Sequence, residues 1–184
     1  MKHHQDREHV HEHDHDCVHD HDHDCAHDHD SPSSQEINVA TDGTEVYAGR
    51  GVQFRYPRGW TLQEESSPDQ TTITVQSPAT SYWTLTLFND RPEPEYVLES
   101  VMAAYQEMYK ELDVYESDVL VLGEPAVARE LDFVCLDLVS NASMVVFQAL
   151  NHTVLVIFQG EDRELETTRP ALTLITQSLL CDIE

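Results

Sequence analysis

Between His13 and Asp30 the chain repeats every eight residues, as His13-Asp14-His15-Asp16-Cys17-Val18-His19-Asp20, then His21-Asp22-His23-Asp24-Cys25-Ala26-His27-Asp28, closing on His29-Asp30. A segment of this composition cannot fold by itself. Val18 and Ala26 are its only aliphatic residues, so almost no apolar surface is available to offset the entropy of ordering the backbone. Asp and His also rank low as helix formers. Residues 1–30 are therefore expected to be a disordered tail that takes up structure only around a ligand. Ser31-Pro32-Ser33-Ser34-Gln35-Glu36 opens a polar linker over 31–45, with Asp42-Gly43 as a turn signal. The fold must be built by residues 46–184.

The repeat also names a ligand class. Imidazole and thiolate bind zinc, nickel, cobalt and copper, and a four-coordinate site needs only four such groups within reach. Residues 1–30 hold eleven of the twelve histidines and two of the four cysteines. The candidate ligands are His11, His13, His15, Cys17, His19, His21, His23, Cys25, His27 and His29. Each octad sets a histidine two residues before and two after its cysteine, so His15, Cys17 and His19, or His23, Cys25 and His27, can close a compact chelate. The alternating aspartates raise the local negative potential and balance the charge that a cation brings. A zinc finger has fixed ligand spacings on an apolar scaffold. This tract has neither, which favours interchangeable zinc or nickel sites and a role in buffering, storage or delivery. The bland alternatives are a purification tag and a solvated acidic tail, but tags are uniform histidine runs without cysteine.

Charge narrows the partners. Ten Lys and Arg stand against 35 Asp and Glu, a formal charge of −25 with histidines neutral. Residues 1–30 carry two basic and ten acidic side chains, a net −8, which leaves −17 on the remainder. Nucleic acid and anionic membrane are disfavoured as partners. No apolar run approaches the roughly 18 residues of a spanning helix and no export signal is visible, so a cytoplasmic location is expected. Cysteine usage fits a reduced compartment better than a disulfide framework.

Beyond the linker the hydrophobic period is two. Val52, Phe54 and Tyr56 share a face, Pro57-Arg58-Gly59 turns the chain, and Trp60 and Leu62 follow, which reads as a first hairpin. Ile73 and Val75, then Trp83, Leu85 and Leu87 after Ser77-Pro78, mark two more half-buried strands. From Pro92 the period lengthens, with Val97, Val101, Tyr105, Met108 and Leu112 on one stripe and Leu98, Met102 and Tyr109 beside it, predicting an amphipathic helix with Pro94 in its first turn. Val114–Leu122 and Ala126–Val139 read as strands around Gly123-Glu124-Pro125, with a phase change near Cys135-Leu136 that suggests a bulge. Met144–Leu150 and Thr153–Phe158 read as central strands joined at Asn151-His152. Leu165, Leu172, Ile175 and Leu179 mark a closing helix in which Pro170 forces a late start or a kink. The expected class is α+β, an antiparallel sheet flanked by helices.

This order of elements, with Phe54-Arg55-Tyr56-Pro57-Arg58-Gly59-Trp60 at its opening and Leu174-Ile175-Thr176-Gln177-Ser178-Leu179 at its close, resembles the PsbP-like and Mog-like superfamily over about residues 46–181. The resemblance implies an antiparallel sheet with flanking helices and a non-catalytic, protein-binding role. Members include an extrinsic photosystem subunit associated with divalent metal, a Ran-GTPase release factor, and the Eag chaperones that hold effectors for type VI secretion. The histidine tract is additional to that pattern, and residues 46–184 contribute one histidine, His152.

Within the domain, Cys135 and His152 are the one Cys/His couple with catalytic potential, yet Cys135 sits among Phe133, Val134 and Leu136 and reads as core. Asp132 and Asp137 read as solvated, Trp60 and Trp83 as core, and Arg50, Arg55, Arg58 and Arg91 as an anchor for an acidic partner or as isolated charges. No phosphate loop, dinucleotide fingerprint or triad is present. The expected function is non-enzymatic: a tail that binds transition metal and a domain that binds a protein partner. An Eag-like chaperone with an incidental tail is the alternative.

Overall fold

Alternating apolar residues dictate sheet structure over most of the domain, and two longer-period stretches dictate helices. The computed structural model describes residues 38–39, 43–121 and 124–182. Its strands are β1 (Asn38–Val39), β2 (Thr44–Gly49), β3 (Val52–Pro57), β4 (Thr61–Ser66), β5 (Gln70–Gln76) and β6 (Tyr82–Phe88). After helix α1 (Pro94–Met108) come β7 (Leu112–Val121), β8 (Glu124–Cys135), β9 (Leu138–Gln148) and β10 (Thr153–Glu161), then helix α2 (Asp162–Gln177) and β11 (Leu180–Cys181). They form an antiparallel sheet of seven strands, ordered β4-β5-β6-β10-β9-β8-β7, and a smaller one ordered β1-β2-β3-β11.

Strand parity sorts the core into two layers. On one face of the large sheet, Ile73, Val75, Trp83, Leu85, Leu87, Val154 and Val156 meet Val52, Phe54 and Tyr56 of the small sheet and Leu165, Leu172 and Ile175 of α2. On the other face Leu131, Phe133, Ala142, Met144, Val146 and Leu155 receive Val97 and Leu98 of α1. β10 and β9 lie under both layers and are apolar on both sides, as the nearly continuous apolar runs require. The α1-side face of β5 and β6 carries the hydroxyl pairs Thr72–Thr86 and Thr74–Thr84, 3.3 Å apart in each case. The architecture is α+β, antiparallel sheets with two helices, as expected.

Several local readings are corrected. β3 does not pair with β4: its hairpin partner is β2 across Arg50-Gly51, and the turn after Pro57 throws the chain into the other sheet. Pro57 offers no N–H to extend a ladder, Gly59 adopts φ +85°, and Arg58 N–H donates back to the Gly43 carbonyl at 3.0 Å. The phase change at Cys135-Leu136 is a two-residue hairpin turn rather than a bulge. Cys135 pairs with Leu138, and Leu136 and Asp137 both take positive φ, +51° and +64°. The tip of the β9–β10 hairpin is Leu150-Asn151, one residue earlier than the sequence suggests, because Ala149 N–H donates to the His152 carbonyl at 2.9 Å. α1 stops at Met108, which is exposed, and Leu112 belongs to β7. α2 starts without delay at Asp162, where the Glu161 carboxylate accepts the Glu164 N–H at 3.2 Å, and Pro170 lies inside the helix. Paired backbone also begins at Asn38–Val39, within 31–45.

Candidate functional site

The ten tail residues assigned to metal, from His11 to His29, lie outside the described residues. Among the described residues no three His, Cys, Asp or Glu side chains gather to hold a metal ion. The sequence-derived candidates in the domain do not converge. Cys135 ends β8 opposite Leu138, at one end of β9, while His152 precedes β10 beside Gln148, at the other. Ten residues of strand separate those ends, roughly 30 Å, so the two cannot form a nucleophile–base couple. Asp132 accepts the Asn141 side-chain N–H at 2.6 Å, and Asp137 sits apart in the turn. Trp83 is fully buried and donates its indole N–H to the Thr176 hydroxyl at 2.9 Å. Arg50 pairs with Glu64 at 2.8 Å, and Arg91 donates to Gln148 at 2.8 Å, so both are engaged within the domain.

A tyrosine grouping between α1 and the sheet was not legible as such. Tyr105 and Tyr109 lie on the α1 stripe that reads as apolar, yet Tyr105 donates its hydroxyl to Gln159 Oε1 at 2.7 Å. The Tyr109 and Phe133 rings lie tilted with centroids 4.2 Å apart, and Tyr105 meets the same ring edge-on at 5.8 Å. Burial, and then the adjoining Cys135, raise the Tyr109 phenol above its ordinary value. Burial and the neighbouring phenol Tyr82 do the same to Tyr105. These are neutral hydrogen-bonding groups at physiological pH, suited to orienting α1 on the sheet rather than to proton transfer. No sequence period marks them, because tyrosine satisfies an apolar stripe while carrying a hydroxyl.

Among the described residues the surface holds a cleft of about 560 Å³ beside α2, lined by Leu165, Glu166, Arg169 and Pro170, and three further features. A cleft of about 450 Å³ runs along α1, with an apolar lining that includes Phe88, Val97, Val101 and Ala104. A second, of about 650 Å³, opens where α1 turns into β7 and is lined by Leu112, Phe133, Val134 and Val139 beside Glu111, Asp113 and Asp132. The third is the β8–β9 hairpin tip, where Leu136 is 91% exposed and Leu138 and Val139 are about half exposed. The α1 cleft and the hairpin tip are apolar, whereas the cleft at the α1–β7 junction mixes apolar side chains with Lys110 and three acids.

No protein-family model matches the chain, and no curated protein matches its sequence. Solved structures do match. Cyanobacterial PsbP (CyanoP) from Synechocystis sp. PCC 6803 superimposes with a TM-score of 0.55 at 13% identity, over 82% of this chain and 98% of that one. The fold is PsbP-like. LpqN of Mycobacterium tuberculosis, a protein involved in cell envelope biogenesis, superimposes with a TM-score of 0.50 at 16% identity, over 72% of this chain and 83% of that one. At such identities these structures show the fold alone and carry over no site residue. Among the described residues no helix is long and apolar enough to cross a membrane.

Proposed function

We propose that this chain is a non-enzymatic, cytoplasmic metal-handling protein in two parts. The tail binds zinc or nickel through the histidines and cysteines between His11 and His29, for buffering, storage or delivery. The PsbP-like domain docks on another protein, the source or recipient of that metal. The observation that carries this reading is the octad repeat, which concentrates soft and borderline donors among charge-balancing aspartates where no core can form. The apolar cleft along α1 and the exposed apolar tip of the β8–β9 hairpin support the docking role.

The test is a calorimetric titration of the full chain with zinc and with nickel under reducing conditions. Alongside it runs a full-length variant in which Cys17 and Cys25 are changed to Ser and the eight histidines from His11 to His29 to Asn. Tight, multi-site binding by the parent chain that disappears in the variant supports the proposal. Equally weak binding by both overturns the metal role. A second reading, an Eag-like chaperone for a hydrophobic segment, draws support from the apolar cleft along α1. It is favoured if a hydrophobic helical peptide protects Val97 and Val101 while the tail variant behaves as the parent chain.

A further inference from the structure

β7 ends the large sheet, and among the described residues its ladder is to β8 alone. It is ten residues long, its register runs unbroken from Leu112 opposite Phe133 to Val121 opposite Glu124, and it contains no Pro, Gly, Lys or Arg. Natural edges are blunted by shortness, proline, a bulge, a covering element or charged side chains. Of these, this one carries only negative charge, at Asp113, Glu116 and Asp118, so its outer N–H and C=O groups are a template for a strand that complements that charge.

Side-chain parity says what that strand must look like. Directly opposed residues of an antiparallel pair share a face. Val114 opposes Leu131, and Glu116 opposes Arg129, so both lie on the α1 side, while Asp113 and Tyr115 lie on the other. Val114 is 40% and Tyr115 51% exposed. The Glu116 side chain is 85% exposed, with its carboxylate 3.2 Å from Arg129 Nη2. Asp132, opposite Asp113, adds to the negative potential.

Charge selects the occupant. Two copies paired β7 to β7 would add the Asp113 and Glu116 charges of one chain to those of the other, in a protein already at −25, and like charges across a ladder destabilise it. A strand with a cation opposite Asp113, apolar residues opposite Val114 and Tyr115, and a cation opposite Glu116 is complementary at those four positions. We propose that the β7 edge binds an extended segment of a partner protein with the pattern cation, apolar, apolar, cation, added as an eighth strand. The pattern is the same read in either direction, so it suits parallel and antiparallel addition alike. This rests on the reading of the domain as a protein-binding module.

The experiment is selection of random peptides of about ten residues, displayed on phage, against the full chain in EDTA and at physiological salt, where screening weakens diffuse attraction. Enriched peptides should carry two cations flanking two apolar residues. One synthesised peptide should slow hydrogen exchange at β7 amides. It should bind about tenfold more weakly to a full-length Asp113→Lys/Glu116→Lys variant whose thermal midpoint is unchanged. Should that variant prove unfolded, Glu116→Lys alone, at the more exposed position, gives the same reading. Enriched peptides that lack the pattern, protect other strands or bind the variant equally overturn the edge assignment and leave the docking module standing. A selection that enriches nothing overturns both.

Discussion

The carboxylate of Glu164 accepts the backbone N–H of Ser81 at 3.0 Å, joining the first turn of α2 to the loop between β5 and β6 across 83 residues of chain. The same carboxylate takes the Ser77 hydroxyl at 2.7 Å, the Thr80 N–H at 3.0 Å and the Thr80 hydroxyl. Burial alone would raise this acid, but the hydrogen bonds from Thr80, Ser77 and Ser81 outweigh it and hold it at about 2. A carboxylate depressed in the fold stabilises it above the ordinary value of 4.5 and loses that contribution as pH falls toward 2. Glu164→Gln should therefore lower stability by about 1–2 kcal/mol at neutral pH and flatten the acid limb of the stability profile. Urea titrations at a series of pH values check both.

Gly160, at the end of β10, is held to glycine by space. A Cβ there would lie 2.5 Å from Ser81 Oγ and 3.0 Å from Leu165, and Leu165 is fully buried. Gly160→Ala should destabilise the domain by about 1–3 kcal/mol through overpacking. The companion change Ser81→Ala, which removes the closest atom, should recover part of that loss in the double variant.

Buried phenols make the fold sensitive to alkali, Tyr47, Tyr56 and Tyr105 most of all. Burial, then the Glu64 carboxylate that accepts its hydroxyl at 2.8 Å, raises Tyr47. Burial and Glu45 push Tyr56 up to about 12, and burial raises Tyr105. Groups raised in the fold stabilise it below the unfolded value of 10.0 and lose that effect as pH climbs through the folded values. Stability should fall from about pH 10 upward, with tyrosinate absorbance rising together with unfolding. Tyr56→Phe should weaken that dependence.

Leu136 combines two unfavourable features, φ +51° at a branched residue and a side chain 91% exposed. A two-residue turn with both φ positive suits Asn-Gly. Replacing Leu136→Asn with Asp137→Gly should stabilise the domain by about 1 kcal/mol and raise the thermal midpoint by roughly 3 °C. An unchanged or lower midpoint would show that the turn contributes contacts which its exposure hides.

The same turn shows where sequence reading reaches and where it stops. Alternation placed Val52, Phe54, Tyr56, Trp83 and Leu85 in the core, and period 3.6 placed Val97 and Leu165, because burial acts residue by residue on a regular element. Partner choice is a long-range property. Nothing local in Pro57-Arg58-Gly59 says that β4 leaves for the other sheet, and a Leu-Asp pair carries none of the turn chemistry that would separate a hairpin from a bulge. The candidate metal ligands were legible because repetition needs no fold to be seen. The free edge at β7 was not, since an edge exists only once the strand order is known.

Metal affinity of the tail should be strongly pH-dependent, because histidine must be neutral and cysteine deprotonated to ligate. With eight histidines between His11 and His29, protonation removes donors and adds positive charge together, so both effects oppose cation binding. Metal loaded at pH 7.5 should be released as pH falls below about 6. Dialysis at stepwise lower pH followed by metal analysis measures this directly. The variant retaining histidines but carrying Cys17→Ser and Cys25→Ser should release metal at a higher pH than the parent chain, because thiolates hold zinc where imidazole has begun to protonate. Retention of metal at pH 5 by that variant, whose tail has no cysteine, would mean that the aspartates carry the binding and that the histidines do not.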